Sequence, residues 1–311
     1  MTDTASALSG VFPVLATPFH PDGSADAEGL RAIARYAIAA GADGVVYPGV
    51  ASEFEMLALD ERMQLTDLVA KEAAGRCAMV VGASGADPST TMGVASRGRE
   101  LSAAALMVMA PKTATDQASA IDFFRQVATA AGGVPIMLQN APPPAGSGLP
   151  ISVVVEILKA VPEISYVKEE ALPSGARITQ LLEAQISTLR GVFGGAGGRY
   201  ITDELARGAV GTMPACELTE IHVALMAAHR RGDRQEVRQL FARSLPLLNF
   251  QAVFRMAMTK ETLRRRGIIA HAGKRAAGPE LDGGDQRELT EMLAEVADLL
   301  TPALSSGSSA T

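Results

Sequence analysis

Eight times along the chain a short apolar run gives way to a longer segment whose apolar residues recur every three to four positions. Runs apolar on both faces are those of parallel strands, and a parallel strand must be followed by a crossover, usually a helix. Candidate strands cover residues 11–16, 44–47, 78–81, 105–109, 135–139, 164–169, 188–193 and 211–214. The helical segments between and after them cover 26–40, 60–74, 89–102, 117–131, 152–160, 174–183, 200–207 and 217–230. Capping residues such as Ser89 and Ser152 open some of these helices, and Gly41 closes the first. Eight is the strand number that closes a barrel, so the pattern predicts an α/β chain folded as a (β/α)8 barrel. A doubly wound open sheet is the competing class, but no G-x-G-x-x-G follows the first strand.

Residues 1–215 should hold the barrel strands and first seven helices. Residues 216–302 should hold the eighth helix and a helical extension of the same domain, with extra helices at 233–242, 245–266 and 286–300. The stretch 273–285, rich in glycine and charge, reads as a mobile connection, and 303–311 as a disordered tail.

With 48% hydrophobic and 20% charged residues among 311, a large core needs no staples. A net charge of −6 disfavours a grip on nucleic acid. The dense basic run Arg264-Arg265-Arg266 reads as a solvated helix C-terminus, where cations suit the dipole. Cys77 and Cys216 are too few for a disulfide framework, and His20, His222, His229 and His271 show no ligand spacing, so neither a metal nor a cofactor is expected. The first ten residues lack the pattern of a secretion signal, and no apolar run spans a bilayer, so the expected address is cytoplasmic with no membrane partner.

In barrels the reactive groups sit where strands end. The richest such end is Tyr166-Val167-Lys168-Glu169-Glu170. A lysine in an apolar strand is desolvated, which favours the neutral, nucleophilic amine. Side chains alternate along a strand, so Lys168 and Glu170 should share a face while Glu169 turns away to orient or pair structurally. The lysines at 71, 159, 260 and 274 fall on helices or loops, where a solvated charge is the ordinary reading. Lys112, after the fourth strand, could also face the pocket. Tyr47-Pro48-Gly49-Val50-Ala51-Ser52-Glu53 runs into a turn of small residues whose N–H groups could converge on an anion. A plain tight turn fits it equally well. Thr17, Gln139 and Asn140 supply neutral hydrogen-bonding groups at strand ends. The glycine run 194–198 reads as a strand-to-helix turn rather than a phosphate cradle.

These landmarks together resemble the dihydrodipicolinate synthase and N-acetylneuraminate lyase family: Thr17-Pro18 after the first strand, the 49–53 turn, Asn140-Ala141-Pro142 after the fifth strand, and Val167-Lys168-Glu169. The resemblance covers residues 10 to about 269. It implies a barrel, often a homotetramer, whose Lys168 forms an imine with pyruvate or a related 2-oxo acid while Ala51 and Ser52 hold the carboxylate. Gly194 and Met213, at the ends of the seventh and eighth strands, complete the expected substrate-binding set with Thr17, Gln139 and Asn140. The family's proton-relaying tyrosine is replaced by Gln139, which cannot relay a proton, and Pro142-Pro143-Pro144 displaces a frequent arginine. Glu170 is then the expected acid/base. This combination is most similar to the L-2-keto-3-deoxyarabonate dehydratase branch. It implies dehydration of a 2-keto-3-deoxy sugar acid to 2,5-dioxopentanoate. A pyruvate-dependent aldolase or a dihydrodipicolinate-synthase-like condensing enzyme is the alternative within the family. A non-catalytic barrel that binds a small metabolite is the alternative outside it.

Overall fold

The computed structural model describes residues 7–114 and 116–301. The expected tail at 303–311 lies outside the described residues. The strands are β1 (Gly10–Val11), β2 (Gly44–Tyr47), β3 (Ala78–Gly82), β4 (Ala105–Met109), β5 (Ile136–Asn140), β6 (Ile164–Glu169), β7 (Gly191–Gly194) and β8 (Gly211–Thr212). The helices that alternate with them are α1 (Ala27–Ala39), α2 (Leu59–Ala73), α3 (Pro88–Glu100), α4 (Gln117–Ala131), α5 (Ile151–Ala160), α6 (Ser174–Glu183), α7 (Ile201–Ala206) and α8 (Thr219–Arg230). Then come α9 (Arg234–Phe254), α10 (Met256–Arg265) and α11 (Gly283–Glu295). The strand order β1-β8-β7-β6-β5-β4-β3-β2 with alternating helices is that of the (β/α)8 TIM barrel.

The chain divides into two compact units, residues 1–12 with 78–213 and residues 13–77 with 214–311. In the first, β3 to β8 and β1 pair in parallel succession. β4, β5 and β6 are buried along their whole length, which explains why β4 is apolar throughout and why β5 and β6 are apolar apart from Ser165 and their last two residues. Register carries the polar strand ends to one level: Gln139 pairs with Lys168, Lys168 with Phe193, and Glu169 with Gly194. Phe193 also meets Phe12 and Tyr166 edge-on. β1 is shorter than the expected 11–16. Phe12 N–H still reaches Thr212 O at 3.0 Å and Val14 N–H reaches Pro214 O at 2.8 Å, so the hydrogen-bond ladder runs on past the assigned strand. β7 begins and ends later than its apolar run.

In the second unit β2 is bridged by Val14 opposite Val46, and Leu15 N–H donates to Val46 O at 3.0 Å. Leu218, Ile221, Leu247, Leu248, Met258, Leu289, Met292 and Val296 form a buried cluster shared by the C-terminal helices. This packing corrects the expected helix break before Pro246, because α9 continues through it. A helix-interior proline costs about 3 kcal/mol. Leu240, Ser244, Leu247, Leu248 and Gln251 outweigh it by burying one continuous face. The chain breaks instead at Arg255, at φ 47°.

Three other expectations are corrected here. Lys260 is not solvated: its side chain is fully buried and ion-paired with Glu53. Arg266 is not a solvated helix end, since it is ion-paired with Glu220 and lies over the Tyr36 ring. The segment after residue 272 is pinned rather than loose at its start. Glu53 accepts from the N–H groups of Arg275 and Ala276, and Arg275 forks onto Glu61 at 2.6 and 2.8 Å while covering Phe19. Among the described residues no helix is long and apolar enough to cross a membrane.

Candidate active site

In the first unit the end of β6 carries Lys168 and Glu170 to one side, as alternation along a strand requires. Lys168 is 3% exposed, and its Nζ lies 3.3 Å from Glu170 Oε1. Gln139, at the neighbouring position of β5, donates its amide to Glu170 Oε2 at 2.7 Å. Ala196 N–H, just past β7, donates to Oε1 at 3.1 Å. Three strands therefore converge on one carboxylate. Burial works to raise the pKa of Glu170, but the Lys168 charge, the Gln139 amide and the Ala196 N–H outweigh it and hold the group below its ordinary value. Glu170 is thus an anion beside an amine, an arrangement able to take a proton from Lys168 or from a carbon bound to it.

Glu169 points the other way and is fully buried. It meets Arg177 at 3.1 Å and accepts from the Asn140 amide at 2.8 Å and from Ala171 N–H at 2.8 Å. Burial keeps its pKa raised despite these partners. The Asn140 amide also joins Leu149, donating to its carbonyl and accepting its N–H. Its observed work is to tie the 141–149 loop to β6. Arg177, which sequence reasoning missed, braces the same loop through Leu149 O at 2.6 Å. Gly194 leaves room for Glu204, since a methyl group there would lie 1.9 Å from Glu204 Oε2. Met213 is buried, with its N–H on Gly194 O at 3.0 Å. Lys112 is exposed on its loop.

In the second unit Thr17 and Ser52 come together. Thr17 Oγ1 donates to Ser52 O at 2.7 Å and shares a hydrogen bond with Tyr47 Oη at 3.0 Å. Burial pushes the Tyr47 phenol up, keeping it neutral. Ser52 Oγ donates to Leu15 O and accepts from Gly49 N–H, so its hydroxyl hydrogen is engaged by the backbone that follows β1. The following residue, Glu53, sits in the left-handed region at φ 56°. That strained geometry is held by the buried Lys260 and the 275–276 backbone. Among the described residues no group of three or more His, Cys, Asp or Glu side chains could hold a metal.

The profile of the dihydrodipicolinate synthetase family matches residues 7–295. The chain belongs to that family. It is 26% identical over 285 residues to the L-2-keto-3-deoxyarabonate dehydratase of Azospirillum brasilense, covering 90% of this chain and 92% of the dehydratase. It is 28% identical over 269 residues to the 4-hydroxy-tetrahydrodipicolinate synthase of Pelodictyon phaeoclathratiforme, covering 84% and 88%. The crystal structure of dihydrodipicolinate synthase from Rhodopseudomonas palustris superposes with a TM-score of 0.86 at 25% identity, over 93% of this chain and 98% of that one. The chain is accordingly a lyase of the class I aldolase type. Within the dihydrodipicolinate synthetase family fold, Lys168 lies on β6 and Gln139 on β5, in register.

Of the residues this description adds, Lys260 had a readable signal. Met256, Lys260 and Leu263 fall at i, i+4 and i+7, an apolar spacing with the lysine inside it, and α10 is buried at every position from Met256 to Leu263. Glu204 had none, because an acid in the first turn of a helix is ordinary.

Proposed function

We propose that this member of the dihydrodipicolinate synthetase family forms a Schiff base between Lys168 and a small 2-oxo acid, and dehydrates a 2-keto-3-deoxy sugar acid such as L-2-keto-3-deoxyarabonate. The observation that carries the reading is the buried Lys168 amine 3.3 Å from a carboxylate that Gln139, not a tyrosine, positions. Glu170 takes the ammonium proton, and the free amine attacks C2 and expels the ketone oxygen as water. The iminium acidifies C3. Glu170 removes a C3 proton, the enamine electrons expel the C4 hydroxyl, and the proton on Glu170 leaves with it as water. Transfer of a C5 proton to C3 within the unsaturated imine gives a C4–C5 enol, its hydroxyl proton moves to C4 to leave the C5 aldehyde, and hydrolysis then gives 2,5-dioxopentanoate and returns the amine, for a net loss of one water. Thr17, Ala51, Ser52, Asn140, Gly194 and Met213 keep the substrate-binding roles that the resemblance implies. A homotetramer in the cytoplasm belongs to the same proposal.

The identity of the dehydratase relative supports the substrate class. The test is borohydride reduction in the presence of pyruvate, read by intact mass. An adduct on the wild type that is lost in Lys168→Ala is expected. Its absence, or its persistence in the variant, overturns the imine. Incubation with L-2-keto-3-deoxyarabonate should then yield the dioxo acid, and released pyruvate would move the assignment to an aldolase.

A further inference from the structure

Glu170 is not the only carboxyl at the end of β7. Glu204, in the first turn of α7, is 1% exposed, and its carboxyl lies against Gly194 as that of Glu170 lies against Gly195. A methyl group on Gly195 would stand 2.5 Å from Glu170 Oε1, just as one on Gly194 would stand 1.9 Å from Glu204 Oε2. Two consecutive glycines thus make room for two acids. Their partners differ sharply. Glu170 has a cation, an amide and a backbone N–H. Glu204 accepts one hydrogen bond, from Ser174 Oγ to Oε1 at 2.7 Å, and its Oε2 is buried with no hydrogen-bond partner.

A bare carboxylate oxygen out of reach of water is costly, whereas the neutral acid carries no charge to desolvate. The charges facing Glu204 act in the same sense. Glu170 and Glu169 lie at the end of β6, and Asp203 precedes it on α7. The neighbouring cations are each engaged elsewhere: Lys168 with Glu170, Arg177 with Glu169, Arg207 with Asp203. Burial, reinforced by those three carboxylates, pushes Glu204 up to about 7.

We propose that Glu204 is a positioning residue for Glu170: it holds a proton itself up to neutrality, so that on the acid side of that point only one of the two acids flanking Gly194 and Gly195 is charged while Glu170 works. The inference rests on the reading of Glu170 as the group that exchanges protons with Lys168. It makes the site sensitive to pH at a residue that touches neither lysine nor substrate.

Infrared difference spectra of the wild type, recorded as pH is raised through about 7, should show a protonated-carboxyl C=O band that disappears. Glu217, also pushed up to about 7, absorbs in the same region, so Glu217→Gln serves as the background, and in it the remaining band should be missing at every pH once Glu204→Gln is added. The rate of borohydride trapping of pyruvate on Lys168 should show an inflection over the same range, and Glu204→Gln should lose it while keeping the plateau of the acid side. No such band in Glu217→Gln, a band there unaltered by Glu204→Gln, or an inflection that survives in the variant overturns the proposal. Should Glu204→Gln fail to fold, Ser174→Ala removes the one donor to the carboxylate and must move the midpoint of the band in Glu217→Gln upward. An unmoved midpoint counts against the assignment. Failure of the underlying reading looks different, because no pyruvate adduct then forms at any pH, and the infrared band alone decides whether Glu204 holds the proton.

Discussion

Replacing Lys260 by methionine removes the one cation from a fully buried pair while nearly conserving side-chain volume. Glu53 would keep the N–H groups of Arg275 and Ala276 but lose its counter-ion, and the Phe19 ring would lose the ammonium 4.1 Å from its centre. Breaking a buried pair costs about 3–5 kcal/mol because the remaining charge is stranded. The two surviving donors temper that cost, and the lost cation–π contact, about 1–2 kcal/mol, restores it. A value of about 4 kcal/mol follows. At about 2.1 cal/mol/K of unfolding entropy per residue, a 311-residue chain should lose roughly 6 °C of Tm. Thermal unfolding by circular dichroism measures this, with Glu53→Gln and the double variant closing a cycle. The double variant should recover a large part of the loss, since it leaves no charge unpaired. A Tm for Lys260→Met within about 1 °C of wild type, equivalent to less than about 1 kcal/mol, would refute the claim that this pair is sealed from solvent.

Glu170→Gln should still give the pyruvate adduct but lose about 10²- to 10⁴-fold in kcat, as removal of a general base does; steady-state assay beside intact mass checks both halves. Gly194→Ala drives a methyl group into Glu204 and should cost about 1–3 kcal/mol. Denaturant unfolding should show most of that cost relieved when Glu204→Ala is added. Glu217, buried and pushed up to about 7, binds its proton more tightly folded than unfolded. Its contribution to stability is therefore present at acid pH and falls as pH rises from the ordinary carboxylate range to about 7. Glu217→Gln, which stays neutral, should be about 3 kcal/mol more stable than wild type above that range, with the advantage fading in mild acid. Urea unfolding at two pH values reads it, and an advantage independent of pH would contradict the assignment.

The barrel was readable because both of its periodicities are local. A doubly buried strand is apolar at every position, an amphipathic helix is apolar at every third or fourth, and the count of eight needs nothing else. Lys168 and Glu170 were readable for the same reason: two residues along a strand is one face. What failed were readings that depend on partners remote in sequence. Lys260 looked like a helix-surface cation because Glu53 is 207 positions away. Arg275 looked like part of a loose connection because Glu61 and Phe19 come from the other end of the chain. Residues 243 and 244 looked like a gap between two helices because the apolar face that carries α9 through Pro246 is defined by tertiary packing. The pairing of Glu204 with Gly194 was hidden in another way. Glycine shows that space exists, but not which side chain fills it.

The grip of Glu53 on residues 275 and 276 gives the far C-terminal stretch a say over the short bend that carries Ser52. A proteolytic nick or a deletion just ahead of residue 273 would leave the βα units before it intact as sequence. It would also strip the left-handed residue on which that bend turns of two of its three holds, leaving Lys260. Shortened versions of this protein, however well they keep their strands, should arrive with the bend half unlatched.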